Sequence, residues 1–241
     1  MRSTTLKTRS GELKYTITSR RRVTKRLHME LDEQGGLVVV APRHWSKRYI
    51  NATMTKNIQH IERFLTRNRS QQLKPLRYID GEQHLYLGKK YPLVTHHVAG
   101  RKNHIKVIEG EIHIAVSGPR PEKIQTTLQH WYLSRARVIF EEQLKDISKR
   151  APRVQDKDIQ LKLRRMKRTW GNCSAGGVIK LNTHLVKAPL KLIDSVIAHE
   201  LCHLEEMNHG RAFYTLLENL NPDWREDRAR LKSEGFSYLL R

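Results

Sequence analysis

The segment VIAHELCHLEEMNHGRAF, residues 196–213, constrains the fold more than any other stretch of the chain. It places three histidines and a glutamate inside an apolar helical pattern, and a folded interior accepts imidazole and carboxylate only where something holds them. On a helical wheel Leu192, Val196, His199 and His203 fall within about 60° of one another. Ile193, Ile197, Leu201 and Leu204 form an adjoining stripe, which leaves Asp194, Ala198, Cys202 and Glu205 for the outside. A helix apolar on two sides is central to its domain, and here its two histidines face inward.

His-Glu-x-x-His puts two imidazoles one turn apart, so both reach one ion, with Glu200 beside it to accept a proton from a bound water. A third ligand must come from beyond the helix. Glu206 lies on the same side but about 10 Å of rise past His199. His209 is the better placed, because Asn208 and Gly210 suit a left-handed turn that swings it back. Three nitrogens and a water make an open, catalytic site. The expected ligands are therefore His199, His203 and His209, the expected ion Zn2+, and the expected catalytic residue Glu200.

The rest of the chain reads as α+β. Short strands fill residues 13–41, with a turn at 32–36, and again 76–116, the latter as antiparallel sheet. Between them Ile50, Met54, Ile58, Ile61 and Leu65 mark one helical stripe, with Ser46 as its cap. Pro121 opens a long helix whose buried side runs from Ile124 to Ile147. Two strands around a Gly-containing loop follow at 159–182, and the metal helix begins near Pro189. No internal repeat is evident. The SGPRP stretch gives the best internal boundary, dividing a β-rich region, 1–118, from a catalytic region, 119–241.

The chain carries 46 Lys and Arg against 24 Asp and Glu, a net charge of +22. Such a field attracts polyanions, nucleic acid or nucleotide phosphates among them. The densest basic run is SRRRVTKR, 19–26, and no helix-turn-helix or finger pattern accompanies it. Two cysteines are too few for a disulfide framework and fit a reducing compartment. Without a leader-like apolar region or a membrane-length apolar run, a cytoplasmic location is expected.

The spacing of the three histidines equals that of the metzincin proteases, but Glu206 stands where those carry glycine and no methionine follows Met207. RRMKRTWGNCSAGGVIKLN, then PLKLIDSVIAHELCHL and NHGRAF, more closely resemble the YgjP-like metal-dependent hydrolases, relatives of the SprT and WLM groups. That resemblance implies a zincin-like C-terminal half, its central metal helix packed on a small antiparallel sheet. It also implies the same three histidine ligands and Glu200 as the catalytic carboxylate. The family's substrate remains open between peptides and, in one branch, uridine triphosphate hydrolysed as by a pyrophosphohydrolase. SprT-type proteases act on proteins near DNA, so a basic half tethering a protease to a nucleic acid is a third reading.

Three further residues bear on substrate. Along strand 159–169, strict alternation continues the inward face to Arg165, which then clamps a phosphate; pairing with a buried carboxylate or a bulge are the alternatives. Asn172 or the Gly171 backbone is placed to stabilise an oxyanion, while Trp170 either stacks on a base or fills core. Tyr214 either donates to a transition state or joins the core stripe of Phe213 and Leu217.

Overall fold

Alternating burial makes the strands of the N-terminal region. In the computed structural model, which describes residues 2–8, 11–19, 25–32, 36–69, 76–98, 103–118, 120–152, 154, 157–166 and 169–239, the chain divides into two compact units, Met1–Lys74 and Pro75–Arg241. The first holds β1 (Arg2–Thr8), β2 (Gly11–Thr18), β3 (His28–Leu31) and β4 (Leu37–Val40), in the order β1-β2-β4-β3. Helices α1 (Lys47–Lys56) and α2 (Ile58–Arg69) follow. Ser46 caps α1 by accepting from the Tyr49 N–H at 3.2 Å. The predicted stripe holds, with Ile50, Met54, Ile61 and Leu65 buried against Tyr15, Leu37 and Val39. It spans two helices because Asn57 breaks the ladder, its amide donating back to the Thr53 carbonyl at 2.8 Å.

The second unit contains β5 (Gln83–Tyr86), β6 (Lys89–His97), β7 (His104–Ile108) and β8 (Glu111–Val116), ordered β5-β6-β8-β7, then α3 (Pro121–Ser148). A three-stranded sheet follows, β9 (Gln160–Arg164), β10 (Gly171–Cys173) and β11 (Val178–Asn182), ordered β10-β11-β9. A 3-10 turn, Thr183–Lys187, leads into α4 (Leu190–Cys202), α5 (Arg211–Leu220) and α6 (Trp224–Tyr238). Ile112, Ile114 and Val116 of β8, Ile124, Leu128 and Phe140 of α3, and Ile193 and Ile197 of α4 share one core.

Two expectations change. None of the three sheets is purely antiparallel: β2 runs parallel to β4, β6 to β8, and β9 to β11. In each case a hairpin folds back so that its second strand inserts beside an earlier strand, running the same way, while its first strand takes the edge. The two four-stranded sheets therefore share one wiring, and the third sheet repeats its last three strands. This is repetition of topology without repetition of residues, which leaves no period in the sequence.

The 118/119 boundary falls inside the second unit, between β8 and α3, because the residues on both sides of it enter the same core. Gly118, at φ 76°, makes a strand-to-helix corner there. Turn residues 33–35, positions 20–24 of the basic run, Gly100, Pro119, Lys167 and Arg168 lie outside the described residues. Among the described residues no helix is long and apolar enough to cross a membrane.

Candidate metal centre

Leu192, Ile193, Val196, Ile197 and Leu201 bury both apolar sides of α4, which brings His199 and Glu200 to its last turn with His203 as C-cap. The helix ends sooner than the pattern suggested. Its closing bonds tighten to the 3-10 spacing: the Leu204 N–H donates to the Leu201 carbonyl at 3.0 Å, and that of Glu205 to Cys202 at 3.1 Å. The Lys157 ammonium donates to the Leu204 carbonyl at 2.7 Å, a cation at a helix C-terminus. The chain then doubles back without the expected left-handed residue, since Gly210 has φ −87°. A three-residue turn centred on His209 does the bending, with the Gly210 N–H donating to the Asn208 carbonyl at 2.8 Å.

One donor nitrogen from each of His199, His203 and His209 lies within 4.8 Å of the other two. The Nε2 atoms of His199 and His209 are 3.1 Å apart. Phe213, fully buried on α5, packs its ring at 5.0, 4.7 and 4.6 Å from the three imidazole centroids. His203 Nδ1 is 3.0 Å from the Glu206 carbonyl. A carbonyl only accepts, so Nδ1 carries a proton and Nε2 is the nitrogen left to ligate a cation. Burial pulls the His199 pKa down to about 4, helped by His203, His209 and Arg228. His209 moves the same way, again chiefly through burial. Three imidazoles converging in this way suit a divalent ion.

Glu200 is 5% exposed, and burial pushes its carboxyl up to about 7. Its Oε2 has no hydrogen-bond partner among the described residues. Edge strand β10 lies against it: a Cβ added at Gly171 would meet Glu200 Oε1 at 2.6 Å. A cavity of about 420 Å³ adjoins the cluster and is lined by Trp170, Gly171, Glu200, Tyr214, Trp224 and Arg228 among others. The buried carboxyl of Glu200 thus lines one cavity with His199 and His209.

Residues 25–234 match the family described as YgjP-like, metallopeptidase domain. The chain belongs to this family. No curated protein gives a match. Two solved structures are similar to part of it. One is the metallopeptidase zymogen of Pyrococcus abyssi abylysin, 20% identical with a TM-score of 0.34, over 41% of this chain and 93% of that one. The other is the metallopeptidase zymogen of Methanocaldococcus jannaschii jannalysin, 23% identical with a TM-score of 0.33, over 38% and 88% respectively.

In this YgjP-like domain the residues expected to contact substrate are scattered. Tyr214 does reach the cavity, its ring 6.4 Å from that of His209 and stacked on Trp224 at 4.9 Å. Trp170 serves both readings, lining the cavity and packing on Tyr238 at 6.2 Å. Asn172 is exposed and sits on β10 beside Gly171; alternation turns it to the opposite face, and it does not line the cavity. Arg165 also lies elsewhere. Strand β9 ends at Arg164, so the inward face does not extend to Arg165. That residue is exposed, donates to Gln129 Oε1 at 3.2 Å and borders a separate small cavity with Lys187 and His184.

Sequence reading passed over Phe213 as a ring platform, Gly171 as a wall for Glu200, and Arg228. A signal for the last was present, because Trp224, Arg228 and Leu231 fall on one stripe of α6.

Proposed function

We propose that this domain is a zinc-dependent peptidase in which His199, His203 and His209 hold the ion and Glu200 is the general base. One observation carries the reading: three imidazoles converge at a cavity that also holds a buried carboxyl whose Oε2 has no hydrogen-bond partner among the described residues. A divalent ion bound by three imidazoles, when present, acidifies a coordinated water and polarises a carbonyl. A tetrahedral three-nitrogen set with an open corner is the usual zinc arrangement for such chemistry.

The protein residues then divide the work. Glu200, whose carboxyl sits near 7 through burial, is poised to take a proton at neutral pH and return it to the leaving amine. Gly171 lets the β10 backbone approach that carboxylate. β10 is an edge strand, so an extended peptide can add to its outer side and pass the scissile bond in front of Glu200. Tyr214 is the side chain positioned to donate to a developing oxyanion.

A second reading, nucleoside triphosphate hydrolysis, draws support from Trp170, Trp224 and Arg228 in the cavity wall. A triphosphate needs several cations beyond one divalent ion. Edge strand β10 beside Glu200 offers a place for an extended chain, which favours the peptide. The basic excess fits a tether to polyanions, with seventeen Lys and Arg against five Asp and Glu in residues 1–74. Cys173, half-buried, and Cys202, buried, are both free thiols, in keeping with a reducing, cytoplasmic setting.

The deciding experiment incubates zinc-loaded protein with a peptide library and, separately, with the four nucleoside triphosphates. Peptide cleavage lost in Glu200→Gln supports the proposal. Diphosphate release without any peptide cut reverses it.

A further inference from the structure

Helix α6 turns Trp224, Arg228 and Leu231 toward the cavity as an i, i+4, i+7 stripe. The outer two are apolar, and the middle one is a guanidinium with no ion pair among the described residues. Three carboxylates of α5 and α6 are engaged elsewhere. Glu218 pairs with Arg225 at 2.9 Å, Glu234 with Arg230 at 2.9 Å, and Asp227 accepts from Asn221 at 2.9 Å. Arg228 instead lines the same cavity as His199, Glu200 and His209.

A fixed cation beside a site for a divalent cation is unfavourable by Coulomb's law. The repulsion turns into attraction when an anion sits between the two. A guanidinium is also the side chain best shaped to grip a carboxylate through two parallel hydrogen bonds. Around it Trp170, Tyr214, Trp224, Leu217 and Leu231 offer an apolar wall, in a cavity large enough for one bulky side chain with its flanking backbone.

We propose that Arg228 anchors a substrate carboxylate, so that the site selects peptides carrying a carboxylate next to a large apolar residue. This rests on the peptidase reading and narrows it. The carboxylate has two sources, the C-terminus of a peptide or an acidic side chain. The first makes the domain a C-terminal exopeptidase and the second an endopeptidase with acidic preference.

The test is equilibrium binding by calorimetry to the zinc-loaded full chain, using N-acetyl-phenylalanine, its amide, and N-acetyl-aspartyl-phenylalaninamide. At least one carboxylate ligand binds tenfold or more tightly than N-acetyl-phenylalaninamide, and which one does so names the source. In Arg228→Gln that preference collapses toward unity with zinc content unchanged, and Arg228→Lys recovers part of it. Equal binding of all three ligands by the unmodified chain overturns the proposal. So does a preference that survives in Arg228→Gln, because the carboxylate then sits on the ion. Turnover is scored separately. A preference that depends on Arg228 in a protein cutting no peptide keeps the anchor and removes the peptidase; cleavage indifferent to Arg228 does the reverse.

Discussion

A Cβ placed on Gly171 would stand 2.6 Å from Oε1 of Glu200 and 2.8 Å from its Cγ. The backbone of an edge strand thus forms one wall of the buried carboxylate, and the absence of a side chain at Gly171 leaves the room that the Glu200 side chain occupies.

Gly171→Ala therefore displaces Glu200 while leaving the three imidazoles alone. A displacement near 1 Å at a reacting group costs on the order of 100-fold in rate. The expected outcome is kcat lower by about that factor with one zinc per chain retained, measured by steady-state kinetics and elemental analysis. Added to Glu200→Gln, the alanine should produce little further loss, because both changes strike one group. An alanine variant with full kcat contradicts the wall.

Glu200→Gln has a signature in stability as well as in rate. Loss of a general base lowers kcat by about 10²- to 10⁴-fold. The carboxyl has an ordinary value of 4.5 and is held near 7 by burial. The folded metal-free chain therefore keeps its proton longer than the unfolded chain. Its stabilising effect is complete below 4.5 and is lost as pH rises through 7. Glutamine does not ionise. The variant should gain on the unmodified chain across that window, by up to about 3 kcal/mol, and hold a constant margin above it. Denaturant titrations of metal-free protein at about pH 4.5, 6 and 8 read this directly. A margin that shrinks as pH rises would contradict the burial of the carboxylate.

These residues also show what was legible in the sequence. His199, Glu200 and His203 are fixed by helical spacing alone, and His209 by its distance from them, so the cluster could be read locally. Gly171, Phe213 and Arg228 matter through contacts between elements far apart in the chain, which no local pattern encodes. Arg165 was misread because alternation was carried past Arg164, where the strand stops. Strand direction was misread for a related reason, since alternation looks the same beside a parallel or an antiparallel neighbour. Helices fared better: Ser46, Pro121 and Pro189 mark their starts in the residues themselves.

Phe213 supports a third prediction. Its ring packs against all three imidazoles as well as filling core, a place from which it can hold their spacing. Phe213→Ala removes a fully buried ring and should cost about 3–5 kcal/mol of stability. Zinc affinity, measured by competition with a chelator, should weaken at least tenfold because three donors lose their common platform. Phe213→Leu fills most of the space, and its loss of affinity should exceed what its smaller stability deficit suggests. Unaltered affinity in the alanine variant would mean that the rings are positioned from elsewhere.

Asn182 gives the last. It is wholly buried, and its amide donates to the Met166 carbonyl at 2.8 Å and the Thr169 carbonyl at 2.9 Å. Its Oδ1 accepts from the His184 N–H at 3.1 Å, and its backbone N–H donates to the Trp170 carbonyl at 2.8 Å. One side chain thus pins the segment entering Trp170 and Gly171 to the end of β11. Asn182→Asp keeps the shape and removes both side-chain donors, leaving two carbonyls opposite a buried charge. The expected deficit at neutral pH is about 3 kcal/mol or more. A carboxyl in that position holds its proton above the ordinary range, and once protonated it can donate one bond again. The deficit should therefore narrow as pH falls below about 5, the reverse of a carboxylate stabilised by cations. Denaturant titrations on either side of that pH decide it: a deficit that widens in acid would mean that the donors of Asn182 do not hold this segment.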